Sequence, residues 1–227
     1  MLFDLIIFDC DGVLIDSEML SVRADIDCLA EYGLALSADD VLERYTGISL
    51  ADMLSDLESR FDRPLLGFAE RHRQRLRTTF EADLKAIPGV GSVLDALACR
   101  RCVASSSTPE RLEHGLAVAG LLDRFRPNLF SAPNLFSATM VARGKPAPDL
   151  FLHAALLMGV APARCAVIED SRPGIEAAVA AGMTAIGFTG GSHCRAGDDS
   201  RLRAAGAAHV VAHMAQLLAA LVALDRR

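Results

Sequence analysis

Short apolar runs alternate along the chain with longer segments whose apolar residues recur at helical spacing. The first run, Leu5-Ile6-Ile7-Phe8, is short enough for one buried strand of a parallel sheet, and Gly12 ends it. Further strands are predicted at residues 102–105, 166–168, 184–188 and 209–211. Helices are predicted at residues 90–98, 109–119, 149–158, 173–181 and 214–224. Because strands separated by helices form mostly parallel sheets, we predict an α/β fold with a doubly wound sheet.

Residues 17–84 follow a different pattern. Apolar side chains recur there at helical spacing, few strand-like runs occur, and glycines and a proline interrupt the sequence. We predict an all-helical insertion that leaves the sheet after its first strand. Residues 1–16 and 85–227 would then form a Rossmann-like core domain, and residues 17–84 a helical cap domain.

Composition and charge argue against several classes of protein. The chain of 227 residues is 52% hydrophobic and 23% charged, which is typical of a soluble globular protein. Its net charge of −6 leaves no basic excess for neutralising phosphates, so we expect no nucleic-acid partner. No apolar run approaches the ~18 residues of a membrane span, and the first apolar stretch ends in Asp9 without the basic segment of a signal peptide. We therefore expect a cytoplasmic protein without a membrane partner, as a monomer or a weak homo-oligomer.

Three local patterns are interpreted as structural. Cys99 and Cys102 form a nominal Cys-x-x-Cys pair, but no second pair accompanies them, and we expect reduced thiols. Four arginines at alternate positions of residues 71–77 are expected on a solvated helix face rather than at an anion site, and any that reach the cleft would favour an anionic substrate. The hexapeptide at residues 127–132 is repeated at 133–138, and only one copy can occupy a given strand position.

Polar residues occur at the ends of predicted strands of the core and in one of its loops. They are Asp9, Asp11, Ser105, Lys145, Glu169 and Asp170. Because the carboxyl ends of parallel strands lie on one edge of a sheet, we expect these side chains in one cleft. Taken singly, each also has a plain structural interpretation, as a turn cap, a surface lysine or a helix start.

The charges of these residues predict a bound cation. Four carboxylates and Lys145 give a net charge of −3, which would repel a phosphate dianion. One Mg²⁺ and one proton on Asp11 would bring that charge to zero. Carboxylate oxygens suit Mg²⁺, which often binds together with a substrate phosphate. Ser105 and Lys145 are donors suited to phosphate oxygens.

The same residues resemble the motifs of the haloacid dehalogenase superfamily of phosphatases. The stretch from Asp9 to Glu18 is similar to its first motif, Ser105 to its second, Lys145 in Lys-Pro-Ala-Pro-Asp to its third, and Glu169-Asp170-Ser171 with Gly174 to its fourth. The motifs stand in family order, and the resemblance covers essentially the whole chain. The helical insertion resembles the cap of the beta-phosphoglucomutase-like branch.

The resemblance implies a role for each acidic residue. Asp9 would be the nucleophile that forms an aspartyl-phosphate, and Asp11 the general acid for the leaving alcohol and then the base for water. Asp11 must hold a proton near neutral pH although free aspartate titrates near ~3.9, and we expect the charge on Asp9 and cap closure to raise its pKa. Mg²⁺ would be held by the Asp9 carboxylate, the Asp11 backbone carbonyl and Asp170, with Glu169 nearby or binding through water.

The resemblance also implies how phosphate is bound. Ser105 and the backbone amide of Ser106 would hold the transferring phosphoryl group, and Lys145 would bridge it to Asp9. In the cap, loops around residues 46–49 would select the substrate. Ser17 and residues 84–88 are expected to act as hinges, because water must be excluded for the first step and admitted for the second.

The residues at a few motif positions distinguish between the dehalogenases, the mutases and the phosphatases of the family. Dehalogenases of the family lack an acid at the position of Asp11, which disfavours dehalogenation. A beta-phosphoglucomutase would have an arginine where Leu50 stands, a histidine where Ser21 stands and a further polar residue in place of Pro109. We therefore predict a Mg²⁺-dependent phosphatase acting on a small phosphorylated metabolite, such as a sugar phosphate or a sugar-acid phosphate. A phosphosugar mutase and a non-catalytic phospholigand-binding protein are the alternatives.

Overall fold

A computed structural model describes residues 3–45, 48–126 and 134–225. Its strands are β1 (Leu5–Phe8), β2 (Arg100–Ser105), β3 (Leu135–Ser137), β4 (Cys165–Glu169), β5 (Thr184–Phe188) and β6 (His209–Val211). They form a six-stranded sheet in the order β3-β2-β1-β4-β5-β6. Every neighbouring pair of strands is parallel. The predicted doubly wound α/β fold is confirmed.

Helices connect the strands within the described residues. They are α1 (Glu18–Glu31), α2 (Ala38–Tyr45), α3 (Leu50–Phe61), α4 (Phe68–Asp83), α5 (Val90–Ala96), α6 (Pro109–Val118), α7 (Asp149–Leu157), α8 (Arg172–Ala180), α9 (Asp198–Ala204) and α10 (Leu217–Asp225). Thr108 and Ser171 begin α6 and α8, because their hydroxyl oxygens accept a backbone N–H of the first helical turn. None of the helices combines the length and the apolar character that a membrane span requires.

The central strand β1 is buried on both faces, which is why an unbroken apolar run marks its position in the sequence. All four of its side chains are completely buried, because β1 lies between β2 and β4. Ile6 and Phe8 pack on one side of the sheet together with residues of α5, α6 and α10. Leu5 and Ile7 pack on the other side with residues of α7 and α8. Alternating side chains thus reach two separate cores, as expected for a strand covered on both faces.

Two elements are not predicted by the sequence pattern. Strand β3 is formed by Leu135–Ser137, which belongs to the second copy of the repeated hexapeptide. The first copy, residues 127–132, lies outside the described residues. Helix α9 has only seven residues, and its single buried side chain, Leu202, gives no helical periodicity to detect.

Helices α1–α4 occupy the predicted insertion. They enclose a hydrophobic cluster of their own, to which Val22, Leu57 and Phe68 belong. Leu76 and Phe80 of α4 belong instead to the cluster on one face of the sheet. The insertion therefore has a hydrophobic interior of its own and, through α4, also packs against the cluster on one face of the sheet. Its division from the rest as a separate cap domain stays a prediction.

The two segments that join the insertion to the sheet run side by side. The Asp16 N–H donates to the Lys85 carbonyl at 2.9 Å, and the Ile87 N–H donates to the Leu14 carbonyl at 2.9 Å. Ser17 is completely buried beside this pairing. The predicted hinges coincide with these segments, and their motion stays a prediction.

The patterns interpreted as structural are met in part. Arg71, Arg73 and Arg77 are exposed on α4 and Arg75 is half-buried. Arg73 and Arg77 also line the cavity between the insertion and the edge of the sheet, so two of the four are not confined to a solvated face. Cys102 is buried in β2 and Cys99 is half-buried just before it, and both are free thiols.

Candidate active site

Strand ends and one loop bring the predicted residues to the carboxyl edge of the sheet. Asp9 directly follows β1, and its backbone N–H donates to the Ile168 carbonyl at 2.9 Å. Ser105 and Glu169 are the last residues of β2 and β4. Lys145 lies in the loop before α7. Because the strands are parallel, these ends meet at one edge, as predicted.

Lys145 joins two of the acids. Its Nζ donates to Asp9 Oδ1 at 2.8 Å and to Glu169 Oε1 at 2.6 Å. The lysine side chain is only 2% exposed, and burial alone would lower its pKa. The charges of Asp9 and Glu169 outweigh that effect and raise the pKa of Lys145. Lys145 is therefore a fixed ammonium beside the predicted nucleophile.

Burial has the opposite effect on Asp9. Desolvation raises the pKa of this carboxyl well above its usual range. The charge of Lys145 lowers it, whereas the charges of Glu169 and Asp170 raise it further. One ammonium group does not balance this group of acids, so the site favours additional positive charge.

Glu169 is held entirely by protein donors. Its Oε1 accepts from Lys145, and its Oε2 accepts from the Ser171 N–H at 3.0 Å and the Ser171 hydroxyl at 2.8 Å. A Cβ on Gly174 would lie 1.9 Å from the Glu169 carboxyl carbon. Glu169 thus orients Lys145 and the start of α8. Its placement beside a metal stays a prediction.

Asp170 approaches the backbone at Gly12 and pairs with a histidine. A Cβ on Gly12 would lie 1.9 Å from Asp170 Oδ2, and Gly12 has φ +76°, a conformation that glycine adopts without strain. His193 Nε2 lies 3.1 Å from Asp170 Oδ2. Burial alone would lower the pKa of His193, but its contacts with Asp170 and Cys194 raise it to about 11. Asp9, Glu169 and Asp170 each offer a carboxylate oxygen within 4.8 Å of one another, a group suited to a metal ion.

Asp11 has an environment that the sequence does not indicate. The hydroxyls of Ser17 and Ser107 donate to Oδ1 and Oδ2 at 2.6 and 2.7 Å, and Arg111 Nη2 donates to Oδ1 at 2.9 Å. Burial raises the pKa of Asp11, but Arg111 and the two hydroxyls lower it more, and the net shift is downward. The expectation that the pKa of Asp11 is raised is therefore wrong for this conformation.

A cavity of about 430 Å³ opens above these residues. The core contributes Asp9, Asp11, Asp170, Ser105 and Ser106 to its wall, and the helical insertion contributes Glu18, Ser21, Asp25, His72 and Phe80. Burial, with the charges of Asp11 and Asp170, raises the pKa of Glu18 to about 8. The chemistry-bearing edge of the sheet therefore faces a chamber that the insertion covers.

Comparison with known proteins agrees with this geometry. The sequence profile of haloacid dehalogenase-like hydrolases matches residues 3–182. The chain belongs to this family. The predictions of the family and of a hydrolase are confirmed.

Relatives of this haloacid dehalogenase-like hydrolase include two carbohydrate-phosphate enzymes. A 6-phosphogluconate phosphatase of Escherichia coli is 30% identical over 190 residues, which are 83% of each chain. A beta-phosphoglucomutase of Bacillus subtilis is 30% identical over 198 residues, covering 80% of this chain and 81% of the relative. A solved structure of a conserved haloacid dehalogenase-like protein of unknown function from Agrobacterium tumefaciens has a TM-score of 0.82 and 40% identity, covering 98% of this chain and 99% of that one.

Sequence reasoning missed several side chains of this hydrolase site. Ser107, Arg111 and His193 each contact a predicted site residue. Arg111 contacts an acid 100 positions away in the chain, so no local spacing indicates the pair. His193 follows β5 in a loop, and a search for polar residues just beyond every strand would have included that loop.

We expect Gly174→Ala to destabilise the hydrolase by about 2–3 kcal/mol, because the added methyl group would overlap the buried Glu169 carboxyl. Urea unfolding measures the loss. Gly91→Ala is the matched control in the first turn of α5, where the nearest atom to the new Cβ lies at 3.6 Å. This control should be neutral or stabilising, since alanine favours helices. Equal stabilities of the two variants would show that Gly174 leaves room for a side chain.

Proposed function

We propose that the chain is a Mg²⁺-dependent phosphatase of small phosphorylated metabolites, with sugar phosphates and sugar-acid phosphates as the substrate class. The observation that supports it most is the convergence of Asp9, Asp11 and Asp170 on one covered cavity, with the Lys145 ammonium donating to Asp9. The 6-phosphogluconate phosphatase among the relatives agrees with this substrate class.

The donor set fits Mg²⁺. Asp9 and Asp170 offer hard carboxylate oxygens close together, and this type of donor suits Mg²⁺. We infer that Asp9, Asp170 and the Asp11 backbone carbonyl would hold the ion, with Glu169 acting through water. When bound, Mg²⁺ supplies positive charge that offsets the acids and the substrate phosphate.

The chain's own residues then account for the chemistry. Asp9 attacks phosphorus, and the bond from phosphorus to the ester oxygen breaks as Asp11 donates a proton to that oxygen. Because Arg111 and two hydroxyls lower the pKa of Asp11 in this conformation, Asp11 has to take up that proton before the step. Water next attacks the aspartyl-phosphate and gives a proton back to Asp11, which restores Asp9 and releases phosphate. Lys145 stands beside Asp9 throughout, and Ser105 with the Ser106 amide would bind the phosphoryl oxygens.

Helices α1–α4 would serve as a cap in this reaction. Their inner side chains close the cavity above Asp9 and Asp11, which would exclude water during phosphoryl transfer to Asp9. Opening at Ser17 and residues 84–88 would admit water and release the product alcohol.

A phosphosugar mutase is the second candidate, favoured by the Bacillus subtilis relative. A mutase has to hold a second phosphate in its cap. In this chain Leu50 and Ser21 line the cavity where an arginine and a histidine would be expected. These uncharged side chains favour hydrolysis over transfer to a second sugar position.

The purified protein should release inorganic phosphate from a panel of sugar phosphates, sugar-acid phosphates and an aryl phosphate. We expect release with Mg²⁺ and at least a ~100-fold loss after treatment with a chelator, reversed by added Mg²⁺. A hexose 1-phosphate with a trace of bisphosphate separates the candidates: an isomerised sugar phosphate would indicate a mutase. Failure to turn over any ester in the presence of Mg²⁺ would favour a non-catalytic binding protein.

A further inference from the structure

Arg111 of α6 lies between the predicted acid and the helical insertion. Its Nη2 donates to Asp11 Oδ1 at 2.9 Å and to the Ser21 hydroxyl of α1 at 3.0 Å. Its guanidinium carbon lies 5.6 Å from the centre of the Phe80 ring of α4. Contacts from three separate segments therefore fix a cation in the wall of the cavity.

Arg111 differs from the other arginines that line the cavity. Arg73 and Arg77 are exposed and pair with Glu70 and Glu81, which belong to the same helix. Arg111 is less exposed, and its only carboxylate partner among the described residues is Asp11. A ligand in the cavity would thus meet a cation, Arg111, whose counter-ion is Asp11, the predicted general acid.

Substrate binding brings the leaving group to this pair. The leaving-group oxygen must reach a carboxylate oxygen of Asp11; Oδ1 already accepts from Ser17 and Arg111, whereas Oδ2 accepts from Ser107 and has room for a second contact. Atoms attached to that leaving oxygen then lie beside the guanidinium. Arg111 Nε is also buried without a hydrogen-bond partner in the described part of the chain. A buried donor of this kind favours a ligand that supplies an acceptor.

The geometry points to Arg111 as a specificity-determining residue that pairs with a carboxylate on the leaving group. The site would then prefer phosphate esters of hydroxy acids, including sugar acids, over esters of neutral polyols. A carboxylate matches a guanidinium in shape and forms paired hydrogen bonds with it. It also matches a single cation in charge, whereas a second phosphate would bring a further negative charge toward Asp25 in the same wall.

This inference rests on the proposed phosphatase function, and matched substrates test it. The pairs are 6-phosphogluconate with glucitol 6-phosphate, and 3-phosphoglycerate with glycerol 3-phosphate; the members of each pair differ chiefly in the carboxylate. We expect kcat/KM to favour the acid by about 10-fold or more in at least one pair. Arg111→Met should reduce that acid-to-neutral ratio by about 10–100-fold, and Arg111→Lys should retain part of the preference.

Two further measurements separate specificity from structure and from turnover. Arg71→Met removes an exposed arginine of α4 that pairs with Glu31, and it should leave the ratio unchanged. Calorimetric binding of each pair to Asp9→Asn protein, with and without Arg111→Met, reports the preference without hydrolysis. One outcome is that the protein binds the carboxylate-bearing ester more tightly, that this preference depends on Arg111, and that the wild type does not hydrolyse it. This outcome would support the role of Arg111 and contradict the phosphatase function. An acid-to-neutral ratio that Arg111→Met leaves unchanged in both assays would overturn the role of Arg111, even if the wild type releases phosphate.

Discussion

We expect Asp9→Asn to remove phosphatase activity and to leave the fold in place. The amide has nearly the shape of the carboxylate but is a far weaker nucleophile, so we expect kcat to fall by about 10⁴-fold or more. The fold should persist because Lys145 keeps its contact with Glu169 at 2.6 Å. The substitution also removes one negative charge from a group in which burial and neighbouring acids raise the pKa of Asp9. Steady-state phosphate release and urea unfolding measure the two effects.

The covalent step gives an independent measurement. Wild-type protein quenched with acid during turnover should contain phosphate bound at Asp9, and Asp9→Asn should contain none. Asp4→Asn is the matched control, because Asp4 precedes β1 and pairs with Arg164 at the surface. It should retain wild-type turnover. Substantial activity of Asp9→Asn, or phosphate bound at another residue, would remove Asp9 as the nucleophile.

The sequence predicts the placement of the site well because that placement depends on strand ends. Burial on both faces makes β1 an unbroken apolar run, so the position of Asp9 after it is visible in the pattern. Parallel pairing of β1 with β2 and β4 then brings Ser105 and Glu169 to the same edge. The placement of these residues at one edge follows from the topology, and the alternation of strands and helices is enough to predict it.

The electrostatic state of the site could not be predicted in the same way. The pKa of Asp11 depends on Arg111, whose side chain reaches Asp11 from a distant helix. Motif spacing reports which strand ends meet, but it does not report which side chain of a packed helix faces them. The same limit applies to His193, whose contact with Asp170 depends on the path of a loop after β5. Sequence reasoning therefore missed Arg111, which contacts the predicted acid Asp11, and His193, which contacts the predicted metal ligand Asp170.

Strand β3 illustrates a further limit. Leu135–Ser137 is short and pairs only with β2 in the described part of the sheet. The repeated hexapeptide offers two identical candidates for that position, and periodicity does not distinguish them. Pairing with β2 in three dimensions selects the second copy, which is information that local sequence does not contain.

Lys145→Met should produce the largest loss of stability at this site. The side chain is 2% exposed, and its ammonium donates to Asp9 and Glu169. Methionine would fill a similar volume against the Phe151 ring, whose centre lies 5.2 Å from Nζ, but two buried carboxylates would face each other without a cation. Breaking a buried pair in this way costs about 3–5 kcal/mol. We also expect kcat to fall by about 10²–10³-fold, because the ammonium beside the transferring phosphoryl group is lost.

A double-mutant cycle separates this charge effect from packing. In the Asp9→Asn background only Glu169 loses its cation, and Glu169 keeps its hydrogen bonds from Ser171. Lys145→Met should therefore cost about 1–3 kcal/mol less there than in the wild type, measured by urea unfolding without metal. Lys85→Met, at an exposed position in a connecting segment, should leave stability within about 0.5 kcal/mol. If the two substitutions were additive, the lysine would stabilise the protein through Glu169 and packing but not through Asp9. The proposed neutralisation of Asp9 by Lys145 would then be wrong.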